Sequence, residues 1–248
     1  MKMVKSADYF NLIKELKKLE NPSKAKILSG FFKTAKGQYG EGDQFLGIVV
    51  PLQREVAKKF SGLSLTDLKK LLVSKIHEHR LTGLFILVEN FQKASTKQKE
   101  KIFKFYLKHA KHINNWDLVD LSAPKIAGEY LLDKDRQILF KLAKSKNLWE
   151  KRIAMLSTYT FIKKGEFKDT LKLAEILIKD PHDLIHKAVG WMLREIGKKD
   201  QRTEEEFLNK YYRQMPRTML RYAIEKFSGS KRSFYLKKIS NQNQKKKD

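Results

Sequence analysis

Cysteine is absent from all 248 residues. That absence excludes a disulfide framework, a thiolate zinc site, an iron–sulfur cluster and a thiol nucleophile. Long apolar runs are missing as well. None approaches the roughly 20 residues needed to cross a bilayer, and the opening MKMVKSADYF has no apolar core of a secretory signal. The chain is therefore expected to be cytoplasmic, of bacterial type, and to make no membrane contact. Proline is scarce, at 5 residues, and no segment sustains the alternation of apolar and polar residues that marks a strand. Acidic residues are few beside their basic counterparts: 28 Asp and Glu against 53 Lys and Arg, a formal net charge of +25. The terminal Lys245, Lys246, Lys247 and Asp248 supply little of that excess, so the charge belongs to the body of the chain. Lys and Arg distributed on this scale point to nucleic acid as partner, because each phosphate contact releases condensed counterions. A membrane surface or an acidic protein is the alternative.

What is present is helix. ADYFNLIKELKKLE, near residues 7–20, is amphipathic at helical spacing. Pro22, Pro51, Pro124, Pro181 and Pro216 all stand where helices could begin, since proline at the first helical position lacks an N–H that would be unpaired anyway. Ser64 with Asp67 resembles a capping box. Further helices are expected near 76–93, 96–111, 116–132, 135–145, 148–164, 167–179, 182–198 and 203–214. The exception is KGQYGEGDQFLGIVV (36–50), whose glycines read G-x-x-G-x-G. That is neither the dinucleotide fingerprint nor a Walker A loop, and no strand precedes it. It reads as a shaped interhelical loop, with backbone contact to phosphate left open. The polar end, 241–248, is expected to be a frayed basic tail, leaving 1–240 as one domain.

A ladder runs through the helical pattern. Arg80, Trp116, Arg152, Lys187 and Arg221 each sit a few residues into an apolar run, at successive separations of 36, 36, 35 and 34 residues. Such a period is the mark of stacked helical pairs. The expected fold is all-α: a right-handed solenoid of HEAT-like antiparallel helical pairs with a concave basic groove. A core position repeated five times would be apolar, so these rungs are expected to face solvent or a ligand. One turn on, on the same helical face, come Leu84, Asp120, Leu156, Trp191 and Glu225.

Asp120 is the leading chemical candidate. A carboxylate near a helix start is ordinarily explained by the helix dipole, and Asp117, nearer the start, fits that explanation better. Asp120 shares its stripe with cations and tryptophans, where an acid facing a polyanion is costly and needs a purpose. Trp116 and Trp191 fall on the stripe and are expected to be exposed, whereas Trp149 reads as packing. The histidines offer less. His77-Glu78-His79 lacks H-E-x-x-H spacing, and the pairs His109/His112 and His182/His186 lack a third ligand, so no metal and no cofactor is expected.

Four ordered segments, YGEGDQFLGIVVP (39–51), NNWDLVD (114–120), NLWEKRIAML (147–156) and HKAVGWMLRE (186–195), resemble the AlkD family of DNA alkylation repair glycosylases. The resemblance covers nearly the whole chain. It implies excision of cationic N3- or N7-alkylated purines from double-stranded DNA, with the lesion left stacked rather than flipped into a pocket. It also implies Asp120 as the catalytic carboxylate, Trp116 and Trp191 cradling the lesion-bearing nucleotide, and Arg152 beside them. Arg80, Lys187, Arg194 and Arg221 are expected on the DNA, together with Phe31, which stands where well-studied members carry a tyrosine. A monomer is expected. A non-catalytic nucleic-acid-binding scaffold remains the competing reading, because fold does not fix function.

Overall fold

The computed structural model describes residues 8–244, with side chains as far as Lys237. Its elements are helical, and among the described residues the one β contact is an isolated parallel bridge between Gln44 and Ile76. Local sequence sets most boundaries. Asp8 caps α1 (Tyr9–Lys18), and Asn21 caps α2 (Pro22–Phe31), accepting the Lys24 amide at 3.0 Å. Pro51 lies in the first turn of α3 (Val50–Lys59). Ser64 Oγ accepts the Asp67 amide at 3.1 Å at the head of α4 (Leu65–Leu72). Met1–Ala7 and Lys245–Asp248 lie outside the described residues.

The stretch expected as a single domain forms two compact units, residues up to Tyr130 and residues from Leu131 on. In the first, α3 and α4 pack on α5 (His77–Lys93), which is buried without a break from His77 to Val88. α6 (Thr96–Lys108) follows, its Ser95 and Gln98 forming a capping box that the sequence reading did not single out. The helix expected over 116–132 is broken. α7 spans only Trp116–Asp120, and a π-helical turn covers Pro124–Gly128, because Pro124 has no N–H to continue the α ladder.

In the second unit the order is α8 (Gln137–Ala143), α9 (Leu148–Ser157), α10 (Tyr159–Lys163), α11 (Lys168–Leu177), α12 (Asp183–Gly197), α13 (Gln201–Tyr211), α14 (Arg217–Ala223) and α15 (Gly229–Gln244). The last continues into the stretch 241–248 that was expected to fray. α12 is central, packing on α9, α13 and α14 through Ala188, Val189, Met192, Leu193 and Ile196. Gly190 allows this: a Cβ there would overlap the Met219 carbonyl oxygen and approach Tyr222 Cβ to 2.6 Å. No helix among the described residues is long and apolar enough to cross a membrane.

Candidate functional site

Helix α5 opens with four ionisable residues, His77, Glu78, His79 and Arg80, and all four are buried. Buried charge is costly unless paired, so the partners reveal the purpose. Glu78 accepts the amides of Leu46, Gly47 and Ile48 at 2.9, 2.8 and 3.2 Å. Those backbone donors, left open above as phosphate contacts, are therefore taken by the protein's own carboxylate. Gly47 is required there by its φ of 81° and because a Cβ would overlap the Asn21 carbonyl oxygen. Arg80 donates to Asp43 Oδ2 at 2.6 Å and to the Ser74 carbonyl at 2.7 Å. His79 Nδ1 lies 3.0 Å from Ser74 Oγ. Burial, with Arg80 nearby, lowers the His79 pKa to about 4, so this imidazole is neutral near pH 7.

His77 sits between two carboxylates. Its Nε2 is 2.8 Å from Asp117 Oδ2, and its Nδ1 is 3.6 Å from Asp43 Oδ2. Burial works against the imidazolium, but the charge and hydrogen bond of Asp117 outweigh it and raise the pKa above the ordinary value. Burial likewise works against the Asp43 carboxylate, yet the neighbouring His77 and the charge of Arg80 hold its pKa below the usual range. Asp117 thus ties the short α7 to the buried start of α5. Its Oδ1 also accepts the Leu118 amide at 2.8 Å.

Helix α7 presents two residues of the expected site. Trp116 and Asp120, at its two ends, are both partly exposed. The Trp116 ring stacks on Phe32 at 5.3 Å between centroids, and Phe31 meets it edge-on at 6.0 Å. Phe32 stacks in turn on Phe45 at 5.2 Å, and Phe45 on His77 at 4.7 Å. A continuous ring stack therefore leads from the buried imidazole to the exposed indole. Phe31 is 61% exposed beside it.

The second unit carries the other expected residues. Trp191 is partly exposed on α12, its Nε1 donating to Glu195 Oε1 at 3.0 Å and its ring 6.0 Å from that of Tyr159. Lys187 pairs with Asp183 at 2.7 Å, and Arg194 pairs with Glu225. Arg221 is exposed on α14. Trp149 is buried, as its reading as packing requires.

Two rungs and two of their one-turn neighbours correct the expectation of a solvent-facing stripe. Arg80 is 3% exposed and Arg152 4%. The first binds Asp43 and the Ser74 carbonyl; the second donates to the Leu184 carbonyl at 2.6 Å, joining α9 to α12. A guanidinium carries five donors in a rigid fork, which suits it to bridge elements internally. Leu84 and Leu156, on the expected stripe, are core residues.

The family model described as DNA alkylation repair enzyme matches residues 12–227. The chain belongs to this DNA alkylation repair enzyme family. Membership carries a role in DNA repair, with DNA as partner. The structure is similar to that of a predicted DNA alkylation repair enzyme from Enterococcus faecalis, at a TM-score of 0.67 and 18% identity, over 85% of this chain and 97% of that one. No curated protein matches this chain. For this repair-family chain, sequence reasoning missed Asp43, His77, Glu78 and Asp117 as a buried network behind α7. The signal was available: four ionisable residues opening an otherwise apolar helix must find partners. The search for H-E-x-x-H spacing passed over them. Among the described residues, no group of three His, Asp or Glu side chains is arranged to hold a metal.

Proposed function

We propose that the chain is a DNA N-glycosylase that hydrolyses the glycosidic bond of cationic N3- or N7-alkylated purines in duplex DNA, without base flipping and as a monomer. The observation that carries this reading is α7, where partly exposed Trp116 and Asp120 stand one helical turn apart on a segment anchored from behind by Asp117 and His77. Alkylation at N3 or N7 makes the base cationic, so it leaves as a neutral molecule and needs little general-acid help. Positive charge then develops on the deoxyribose as the C1′–N bond breaks. The Asp120 carboxylate stabilises that charge and takes a proton from the water that attacks C1′. Trp116 offers an indole face to the cationic base before it leaves and to the sugar as positive charge develops on it, an attraction of about 0.5–2 kcal/mol depending on desolvation.

In this reading Trp191 supplies the second indole, and the exposed Arg221, the partly exposed Lys187 and the largely buried Arg194 contact phosphates. Arg80 and Arg152, being buried, act by holding the helices that carry the site. Phe31 contributes an apolar contact without a hydroxyl. The test is release of free 7-methylguanine from methylated duplex DNA by purified protein and by Asp120→Asn. Release by wild type, reduced about 100-fold or more in the variant, supports the reading. Binding of methylated duplex without release above the spontaneous rate selects the non-catalytic scaffold.

A further inference from the structure

Asp117 and His77 orient α7 from its first turn. The end of α7 that carries Asp120 is held by different groups. Tyr106, on α6, is fully buried, and its hydroxyl lies 2.9 Å from Ser122 Oγ. Ser122 is fully buried too and follows Asp120 closely in the chain. Its Oγ lies 2.5 Å from the Leu118 carbonyl and 3.5 Å from that of Val119. A carbonyl cannot donate, and a serine hydroxyl carries a single proton. That proton goes to Leu118, so Tyr106 is the donor in its bond to Ser122. The relay has one direction: Tyr106 O–H to Ser122 Oγ, and Ser122 O–H to the Leu118 carbonyl.

The backbone shows what the relay replaces. The Ser122 amide bonds the Val119 carbonyl at 3.1 Å instead of continuing the α ladder to Leu118. A side-chain hydroxyl therefore takes the place of an amide on a buried carbonyl. Asp120 lies inside this ring of bonds, with Leu118 and Val119 before it and Ser122 after it. Its carboxylate is felt at the tyrosine: burial and, more weakly, the charge of Asp120 raise the Tyr106 pKa, against the hydrogen bond to Ser122. The Tyr106 hydroxyl thus stays protonated well above neutral pH and acts as a fixed donor.

We propose that Tyr106 and Ser122 are positioning residues for Asp120, their hydroxyls fixing the 118–122 backbone so that the carboxylate is aimed at the reacting sugar. The inference rests on the reading of Asp120 as the carboxylate of base release. Both side chains are buried and make no contact with DNA themselves. A misplacement of about 1 Å at a reacting group costs on the order of 100-fold in rate, so a relay that sets one backbone turn has a large effect on chemistry and little on binding.

The test is Tyr106→Phe, which removes only the hydroxyl. Single-turnover release of 7-methylguanine from methylated duplex DNA is measured at saturating protein, and duplex affinity is measured separately. The rate constant for release falls roughly five- to fiftyfold while affinity stays within about twofold. A merely structural role would lower the fraction of active protein, which changes the amplitude at saturation and not the rate constant. Ser122→Ala slows release similarly, and the double variant is no slower than the slower single one, since both break one relay. The proposal is overturned if Tyr106→Phe releases base at the wild-type rate constant, if its loss lies in affinity, or if the two single losses multiply in the double variant. Should Ser122→Ala fail to fold, Tyr106→Phe alone decides. Wild-type protein that releases no base overturns the glycosylase reading and this inference together. Wild type that releases base, matched by Tyr106→Phe, overturns this inference alone.

Discussion

His77 Nε2 lies 2.8 Å from Asp117 Oδ2, joining residues 40 apart in the chain within the buried part of the first unit. The bond is a hinge pin for α7: five residues make a helix too short to hold its own geometry, so its orientation comes from what Asp117 grips. Trp116 and Asp120 flank Asp117 and inherit that orientation.

Removing the imidazole tests this directly. His77→Ala leaves the Asp117 and Asp43 carboxylates buried without their shared partner and is expected to destabilise the protein by about 3 kcal/mol, measured by urea unfolding. Where the variant remains folded at low temperature, base release is expected to fall although no residue contacting DNA has changed. Wild-type excision in a folded variant would reject the positioning role.

The same pair predicts a pH dependence. The His77 pKa is raised in the fold, so its stabilisation is complete below the ordinary value near 6.5 and is lost as pH rises through the folded value. Asp43 is shifted the other way: its contribution is present above the ordinary value of 3.8 and is lost as pH falls through the folded value. The stability gap between wild type and His77→Gln should therefore be widest between these ordinary values and narrow towards alkaline pH. A gap constant from pH 5 to pH 9 would refute the titration.

Glu204 gives an independent test in the second unit. It is buried, and burial, with Glu205 nearby, pushes its pKa from 4.5 up to about 8. Stability from the protonated form is present below 4.5 and is lost as pH rises through about 8, amounting to roughly 3 kcal/mol at pH 7 relative to acid, at 1.36 kcal/mol per pKa unit. Glu204→Gln should flatten this loss. Parallel stability curves for the two proteins between pH 5 and pH 9 would count against it.

Glycine substitutions separate packing from flexibility. Gly190→Ala should cost about 1–3 kcal/mol, because the added methyl meets the backbone of α14. Gly30 is exposed in α2 with nothing near its missing Cβ, so Gly30→Ala should be neutral or stabilise by about 0.5–1 kcal/mol. Thermal unfolding of the two variants, with equal shifts, would remove the close-approach argument.

Duplex affinity should fall steeply with salt, as release of counterions from phosphates requires. Arg221→Ala should weaken binding with little change in stability. Arg152→Ala should lower stability first, since its guanidinium holds the Leu184 carbonyl. Affinity that is indifferent to salt would exclude the phosphate-contact model.

The helical class, the helix starts at Pro22 and Ser64, the charge of the body, and the segment carrying Trp116 and Asp120 were legible in the sequence. These are local properties: period, propensity and capping act over a few residues, and charge is a sum. The tertiary structure decided which cations are surface groups and which are internal ties. Arg80 and Arg152 share a spacing with Lys187 and Arg221, yet the first two are buried and the last is exposed. The difference lies in whether a distant carbonyl or carboxylate, such as Leu184 or Asp43, comes within hydrogen-bond reach. The same holds for Asp117. Its position near a helix start was explained locally by the dipole, and only the arrival of His77 from α5 made it the anchor of α7. Pairings across 30 to 70 residues are set by packing, and no short-range pattern encodes them.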